Sequence, residues 1–446
     1  MGYGLRKHRY SLLIASSLAL AFLWVICLGN GPLQTILQIT LLLTFAAILG
    51  GLAKKLHQPA VLGEILGGII LGPTVFGILA PGLHSELFPA AGESAEILHV
   101  VAYLGLIAFV FIAGLEVDLR SLRQQRKSTL LISIFGILHP FSFGFGMVLL
   151  LPALWGTSQG DLRVFALFMG TALSISALPV IARILMDLNL MKEKLGMIIV
   201  GAATCDDVVG WSLFALILSS LNAGISLTIN LGLTLGVFGL TACVIYLAKS
   251  DKSRQMPFFW RWIVDLIAIS MLVASIASEF VGAHGIFGAF LAGVILSQRQ
   301  ARRDLILKTA YGPVMTILAP VYFASIGLKA DFARDFVLAI VLLVFLAACA
   351  GKIMGASMGA WLGGISGGDA LAIGFGLNAR GAMEIVLASA ALDYGLIDKR
   401  IFVALVIMAL ATTMISGTMI QRLITRKSAK SAEVLRWRAS TRSRDF

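Results

Sequence analysis

Long apolar runs constrain this chain more than any other feature, because they recur along nearly its whole length. A helix needs about 20 apolar residues to cross a bilayer, and only helices and closed barrels satisfy their backbone there. The chain of 446 residues is 59% hydrophobic and 13% charged, whereas soluble proteins carry about 25% charged residues. We therefore predict an all-α polytopic membrane protein with about 13 or 14 transmembrane helices. Candidate spans lie at about 11–29, 34–53, 58–79, 96–117, 128–153, 162–186, 195–221, 225–248, 262–281, 283–298, 310–328, 335–362, 369–394 and 400–422.

The first apolar run has two readings, a cleaved signal peptide or a retained helix. Basic residues precede it between Met1 and Tyr10, as in a signal peptide, but no small-x-small cleavage site follows Cys27. We favour a retained extra helix within residues 1–33, followed by a membrane domain over 34–422. Cleavage would leave one span fewer and an external amino terminus.

Basic residues lie mainly in alternate loops and in the tail at 423–446. This positive-inside pattern places both termini in the cytoplasm if the first helix is retained. The net charge of +12 therefore indicates contact with anionic lipid, not with nucleic acid. The basic loops are Lys54–Lys55, Arg120–Lys127, Lys192–Lys194, Lys249–Arg261 and Arg299–Lys308.

Two adjacent aspartates, Asp206 and Asp207, lie near the middle of the apolar span at 195–221. An ionised carboxylate in hydrocarbon costs several kcal/mol unless it faces a partner or an aqueous cavity. Neighbouring helix positions point about 100° apart, so one aspartate can face a fixed partner and the other a cavity. We interpret the pair as a cation and proton site.

The span before these aspartates predicts a discontinuous helix. Pro179 has no backbone N–H and interrupts helical hydrogen bonding, and Thr171, Ser174 and Ser176 can satisfy the freed backbone groups. Transporters use such unwound centres to turn carbonyls and half-helix ends toward a midplane site. A simple proline kink is the alternative.

The carboxy-terminal half has similar features. Lys352 lies deep in a span, where it needs a carboxylate partner unless its side chain snorkels to the membrane surface. Asn378 with glycines suggests a second broken helix at 369–394. Arg380 and Glu384 are four residues apart and can pair on one helix face. The two broken helices hold corresponding places in the two halves, which predicts inverted repeats with crossing discontinuous helices.

Other polar residues give weaker signals. Asp265 follows Arg261 at a spacing that predicts a local ion pair. Glu64 has two interpretations, a functional carboxylate or a hydrogen-bonded structural carboxylate near the membrane boundary. The four cysteines are widely spaced in apolar segments, which predicts neither disulfides nor a zinc site.

With Thr204-Cys205-Asp206-Asp207 beside a broken helix, and Lys352 followed by Asn378-Ala379-Arg380-Gly381, the chain resembles the monovalent cation:proton antiporter-2 family. The segments Gly63–Pro73, Phe111–Leu119 and Phe323–Leu328 also resemble family segments. The resemblance covers about residues 34–422.

This resemblance implies a homodimer with a mobile core, here helices at about 96–221 and 310–422. It implies that Asp207 binds cation and proton alternately, that Asp206 pairs with Lys352, and that Thr171 and Ser174 lie in the crossover. One departure concerns the Arg-Gly pair, which many relatives follow directly with glutamate. Here Ala382 follows, and the acid is Glu384.

We therefore expect a secondary antiporter that exchanges Na⁺ or K⁺ for protons, without a cofactor, in a bacterial inner membrane. A potassium channel or uniporter is one alternative, although no TVGYG-type filter is present. An organic-anion symporter of related fold is another. The sequence shows no nucleophile–base arrangement that would indicate an enzyme. It does not distinguish sodium from potassium, because a carboxylate with hydroxyl and carbonyl oxygens suits both ions.

Overall fold

A computed structural model of the chain describes most of the predicted membrane domain. The described residues are 31–56, 58–116, 126–155, 161–188, 190–191, 193–221, 265–273, 285–365 and 367–442. The predicted spans at 11–29 and 225–248 lie outside them.

The described residues form helices joined by short connections. In chain order the helices are α1 (Gly31–Lys55), α2 (Ala60–Leu71), α3 (Phe76–Leu79), α4 (Pro81–Leu87), α5 (Glu93–Glu116), α6 (Arg126–Leu150), α7 (Pro152–Trp155), α8 (Leu162–Ser174), α9 (Leu178–Asp187), α10 (Lys194–Leu221), α11 (Gly285–Ser297), α12 (Gln300–Pro313), a π-helical turn (Val314–Leu318), α13 (Ala319–Leu328), α14 (Leu338–Leu362), α15 (Gly368–Leu377), α16 (Ala382–Asp393) and α17 (Lys399–Arg442). Within the described part of the chain, nine helices are long and apolar enough to cross a membrane.

The loop predicted at Arg299–Lys308 is wrong, because α12 begins at Gln300 and continues through the π-helical turn into α13. Hydropathy locates only the apolar end of this long helix. Half of the residues in its polar first part are Ala, Arg, Leu or Lys, which are good helix formers. The basic tail also begins as helix, because α17 extends to Arg442.

One compact unit comprises the described residues of Met1–Ala108 together with Gly312–Arg334. Its core contains Leu42 and Ala46 of α1, Leu71 of α2, Leu98 of α5, and Val321 and Ala324 of α13. Glycines on α2 allow the close contacts that their spacing predicts. A methyl group at Gly63 would lie 2.1 Å from the Leu49 carbonyl oxygen, and one at Gly68 would lie 1.8 Å from that of Ala324.

The second unit comprises the described residues of Phe109–Tyr311 and Asp335–Phe446. Its core lies among α6, α9, α10, α14 and α15, with Ile132, Ile181, Ile199, Ala356, Ile373 and Leu377 buried together. Gly351 and Gly355 bring α14 against Pro140 and Phe135 of α6. This close packing carries Lys352 into the interior of the unit, where its side chain is fully buried.

Candidate functional site

The first broken helix is interrupted at residues 175–177. α8 ends at Ser174, Ile175 and Ala177 have extended backbones, and α9 begins at Leu178. Pro179 therefore lies in the first turn of α9, where a helix leaves N–H groups without internal partners. Proline is compatible with this first turn, but it cannot continue α8 because it has no backbone N–H to donate.

The second broken helix is interrupted at residues 378–381. α15 ends at Leu377 and α16 begins at Ala382. Gly381 has φ +155° and ψ −130°, a conformation that favours glycine, and a methyl group there would lie 2.8 Å from Val180 Cγ2. Both the backbone conformation of residue 381 and its short distance from α9 therefore favour glycine at this position.

The two interruptions meet. The Ala177 N–H donates to the Ala379 carbonyl at 3.1 Å, and the Ser176 hydroxyl donates to the Leu377 carbonyl at 2.8 Å. Thr413 of α17 donates to the Arg380 carbonyl. Backbone groups that the breaks free are therefore satisfied inside the protein, as a low-dielectric surrounding requires.

Two buried cations bind the carboxyl end of α8. Arg380 donates through Nη1 to the Ala172 carbonyl at 2.9 Å and through Nη2 to the Leu173 carbonyl. Lys352 Nζ donates to the Ser174 carbonyl at 2.5 Å. A helix end exposes free carbonyls and a partial negative charge, so both cations are stabilised there.

Asp206 has protein partners on both carboxylate oxygens. Lys352 Nζ lies 2.6 Å from Oδ2, the Ser176 hydroxyl donates to Oδ2 at 2.9 Å, and the Ser133 hydroxyl donates to Oδ1 at 2.8 Å. The aspartate and the lysine are both buried. A buried ion pair is tolerated when further hydrogen bonds satisfy its remaining capacity, and these hydroxyls supply them.

Asp207 has a different environment. It is buried, and the backbone amide of Leu178 at the start of α9 lies near its carboxylate. Its Oδ1 has no hydrogen-bond partner in the described part of the chain. A buried carboxylate oxygen without a donor is suited to receive a proton, water or a cation.

Arg380 and Glu384 form the predicted contact four residues apart, with Nη1 3.0 Å from Oε2 and both side chains buried. Arg380 Nε and Glu384 Oε1 have no partner within the described residues. Glu384 therefore neutralises the arginine that binds the end of α8.

Thr171 and Ser174, which are expected where the broken helices cross, donate their hydroxyl protons to backbone carbonyls of helices. Thr171 donates to the Leu167 carbonyl at 2.8 Å, and Ser174 donates to the Gly170 carbonyl at 2.7 Å and to that of Ile137 at 3.1 Å. Their hydroxyl oxygens keep lone pairs that can accept.

Comparison with known proteins gives the family. The family model described as the transmembrane sodium/hydrogen exchanger matches residues 40–426. The chain belongs to the sodium/hydrogen exchanger family. This is a family of transporters, so the chain is not an enzyme.

Individual relatives agree with this family assignment. The chain is 31% identical over 410 residues to the Na(+)/H(+) antiporter NhaS4 of Synechocystis sp., covering 88% of this chain and 98% of the relative. It is 33% identical to Cation/H(+) antiporter 17 of Arabidopsis thaliana, covering 88% of this chain but only 49% of that protein. The solved sodium proton antiporter MjNhaP1 from Methanocaldococcus jannaschii matches with TM-score 0.58 and 17% identity, over 88% of this chain and 98% of that one. The fold class predicted from the sequence is confirmed.

Sequence reasoning missed Ser133 in this exchanger and found only part of the role of Ser176. Ser176 was expected to bond backbone, and it also contacts Asp206. Ser133 lies on α6, 73 residues from Asp206. The only available signal was a small hydroxyl residue inside an apolar span.

Asp265 pairs with Arg302, Oδ2 to Nη2 at 3.1 Å, and with Arg299. Arg261, its predicted partner, lies outside the described residues.

Glu64 is buried in the unit of Met1–Ala108 and Gly312–Arg334, whereas the aspartates lie in the other unit.

Proposed function

We propose that this family member is a secondary active antiporter in which a monovalent cation and a proton compete for Asp207. One observation carries the proposal: Asp206 has donors on both carboxylate oxygens, whereas Asp207 Oδ1 has no protein donor in the described chain. Of the two adjacent acids, Asp207 thus has an oxygen that no donor among the described residues reaches, and this oxygen is available to a transported ion.

The charges around the site support competition. Lys352 compensates Asp206, so ionised Asp207 leaves one negative charge among buried groups. One proton or one monovalent cation restores neutrality, and a second positive charge would be uncompensated in a low-dielectric surrounding. Exchange follows if the site opens to one side of the membrane at a time.

The cation is Na⁺ or K⁺ in this proposal. A carboxylate oxygen with hydroxyl and carbonyl oxygens forms a hard ligand set that suits either ion. Thr171 and Ser174 belong to the proposed set, since their hydroxyl oxygens still have lone pairs. NhaS4 carries the name of a Na⁺/H⁺ antiporter, which makes sodium the first ion to test.

The Lys352–Asp206 pair supplies the proposed link to voltage. If cation entry weakened this pair, the lysine would be able to release a second proton, and exchange would become electrogenic. We propose this as the role of the buried lysine, supported by its 2.6 Å contact with Asp206.

The proposed setting is a homodimer in a bacterial inner membrane with both termini cytoplasmic. The alternation of basic loops supports this orientation, and the basic residues after Gln421 would meet anionic lipid.

The test uses purified protein in liposomes that contain a pH-sensitive dye. Addition of sodium, and separately of potassium, is expected to change the internal pH with wild type but not with Asp207→Asn. Glu193→Gln is a matched control, because it removes an exposed carboxylate just before the same helix. Cation flux without a pH change would support the channel alternative. No response to either cation would contradict cation exchange and leave the organic-anion alternative.

A further inference from the structure

A cavity of about 310 Å³ lies within the unit of Met1–Ala108 and Gly312–Arg334. The first parts of α1 and α5, the short helix α4 and the carboxyl end of α13 supply most of its lining. It is open at Ala90 and His99, which are both exposed. Its volume is at the lower end of the range for small-molecule sites, so it suits a small group.

The cavity lies near one end of the helices that form it. Gln38 is seven positions after Gly31, the first residue of α1, which is about 10 Å along a helix. Ser325 lies in the last turn of α13, and Lys54 and Lys55 mark the opposite end of α1. A bilayer has a polar layer of about 5–7 Å on each side of its hydrocarbon core. We therefore expect the cavity at the depth of lipid headgroups and glycerol.

Two buried side chains bring acceptor oxygens to the cavity. Gln38 Nε2 donates to the Leu87 carbonyl at 2.6 Å, which turns Oε1 away from this bond, and Oε1 has no partner among the described residues. The Ser325 hydroxyl gives its proton to the Tyr322 carbonyl at 2.7 Å, so its oxygen can only accept. A buried acceptor without a donor is costly, and Gln38 is fully buried. Both residues favour a ligand that donates hydrogen bonds.

Basic side chains line the same cavity. They are His84, His99 and Lys329, whose nitrogen atoms suit the oxygens of a phosphate group. His84 Nε2 is buried and has no hydrogen-bond partner in the described part of the chain. Most of the other lining residues are apolar and include Phe88 and Leu98. A ligand that matches all three kinds of surface has a phosphate, a hydrogen-bond donor and an apolar part.

We propose that this cavity binds the headgroup and glycerol of a phospholipid whose headgroup donates hydrogen bonds, such as phosphatidylethanolamine. The ammonium group donates to Gln38 Oε1 and Ser325 Oγ, near the carboxyl end of α13, where the partial negative charge of a helix end favours a cation. The phosphate binds Lys329, and the acyl chains continue into the bilayer. This site goes beyond the cation exchange proposed above and does not depend on it.

Native mass spectrometry of the delipidated full chain, titrated with one lipid at a time, tests this site. Wild type is expected to bind dioleoylphosphatidylethanolamine about tenfold more tightly than dioleoylphosphatidylcholine, because the choline nitrogen has no proton to donate. Gln38→Leu and Ser325→Ala should each lower this ratio to about threefold, and the double variant should bind both lipids equally.

Gln34→Leu is the matched control. Gln34 also donates from α1 to the Leu87 carbonyl, but it does not line the cavity, so the tenfold ratio should persist. Lys329→Gln is expected to weaken binding of both lipids alike, because both carry the same phosphate group. If Gln38→Leu fails to fold, Ser325→Ala decides, since it leaves the bond between Gln38 and Leu87 in place.

Equal affinity of wild type for the two lipids would overturn the proposal, and so would an unchanged ratio in Ser325→Ala and the double variant. Displacement of bound lipid by soluble glycerophosphoethanolamine at equal concentration would show a site for the free headgroup and would overturn the lipid assignment. These measurements need no cation transport, so failure of the proposed exchange leaves their outcome unaffected.

Discussion

Lys352 Nζ lies 2.6 Å from Asp206 Oδ2, and the same ammonium group donates to the Ser174 carbonyl at the end of α8. The lysine therefore joins three elements: its own helix α14, the aspartate helix α10 and the first broken helix. A change in its charge would act on the ion site and on the helix interruption together.

Removal of the lysine charge is expected to destabilise the protein strongly. Lys352→Gln leaves the buried Asp206 carboxylate without its cation, a change that costs about 3–5 kcal/mol for a buried pair. The free energy of unfolding in mixed micelles measures this loss. The double variant Asp206→Asn/Lys352→Gln is expected to recover part of it, and a single variant as stable as wild type would contradict the pairing.

Arginine at position 380 is expected to be irreplaceable by lysine. The guanidinium reaches the carbonyls of Ala172 and Leu173 and the Glu384 carboxylate together, whereas an ammonium group cannot span this set. Arg380→Lys should lose about 1.5–3 kcal/mol of unfolding free energy, the value of one bond to a charged group. Equal stability of Arg380→Lys and wild type would show that these contacts are dispensable.

Replacement of the glycine at position 381 is expected to destabilise the folded protein. Gly381→Ala combines an unfavourable backbone conformation, costing about 1–3 kcal/mol, with a clash against Val180. Thermal unfolding should occur at a lower temperature than in wild type. Gly51→Ala, at an open position in α1, is the control and should be stabilised by about 0.5–1 kcal/mol. Similar effects at both positions would contradict the strained conformation.

His84 is expected to make stability depend on pH. Its ring lies between Phe76 and Phe88, with centroid distances of 5.8 Å and 5.9 Å, and burial lowers its pKa below the ordinary value of about 6.5. The unfolded chain then binds a proton before the folded chain does, so this contribution is present above pH 6.5 and is lost as the pH falls through the lowered pKa.

His84→Phe keeps the aromatic contacts and removes this titration. The difference between the free energies of unfolding at pH 8 and at pH 5 should therefore be smaller in the variant than in wild type. Unfolding measurements at both pH values test this. An identical difference would exclude the histidine as its source.

The sequence identified features that are costly in a membrane. Paired aspartates, a deep lysine and a proline with nearby hydroxyls are rare in apolar spans, so they predicted a site and a broken helix. The structure indeed places Asp206 beside Lys352 and interrupts both expected helices. The roles of these residues in transport stay predictions.

Other features depend on packing that hydropathy does not reveal. Ser133 contacts Asp206 only because α6 and α10 pack together, and nothing near Ser133 in sequence indicates this. Arg380 was predicted to pair with Glu384, but its bonds to the end of α8 arise from the meeting of the two interruptions. The polar helix α12 was missed because a hydropathy window reports apolar spans and not helices as such.

The most direct test of competition at Asp207 is the sodium KM of proton exchange, measured in liposomes over a range of pH. Below the protonation midpoint of the site, the KM should rise about tenfold for each unit of pH decrease, because one proton excludes one cation, while the maximal rate stays constant. A sodium KM that does not change with pH while the maximal rate falls would show that cation and proton bind at separate sites, and would contradict the proposed mechanism.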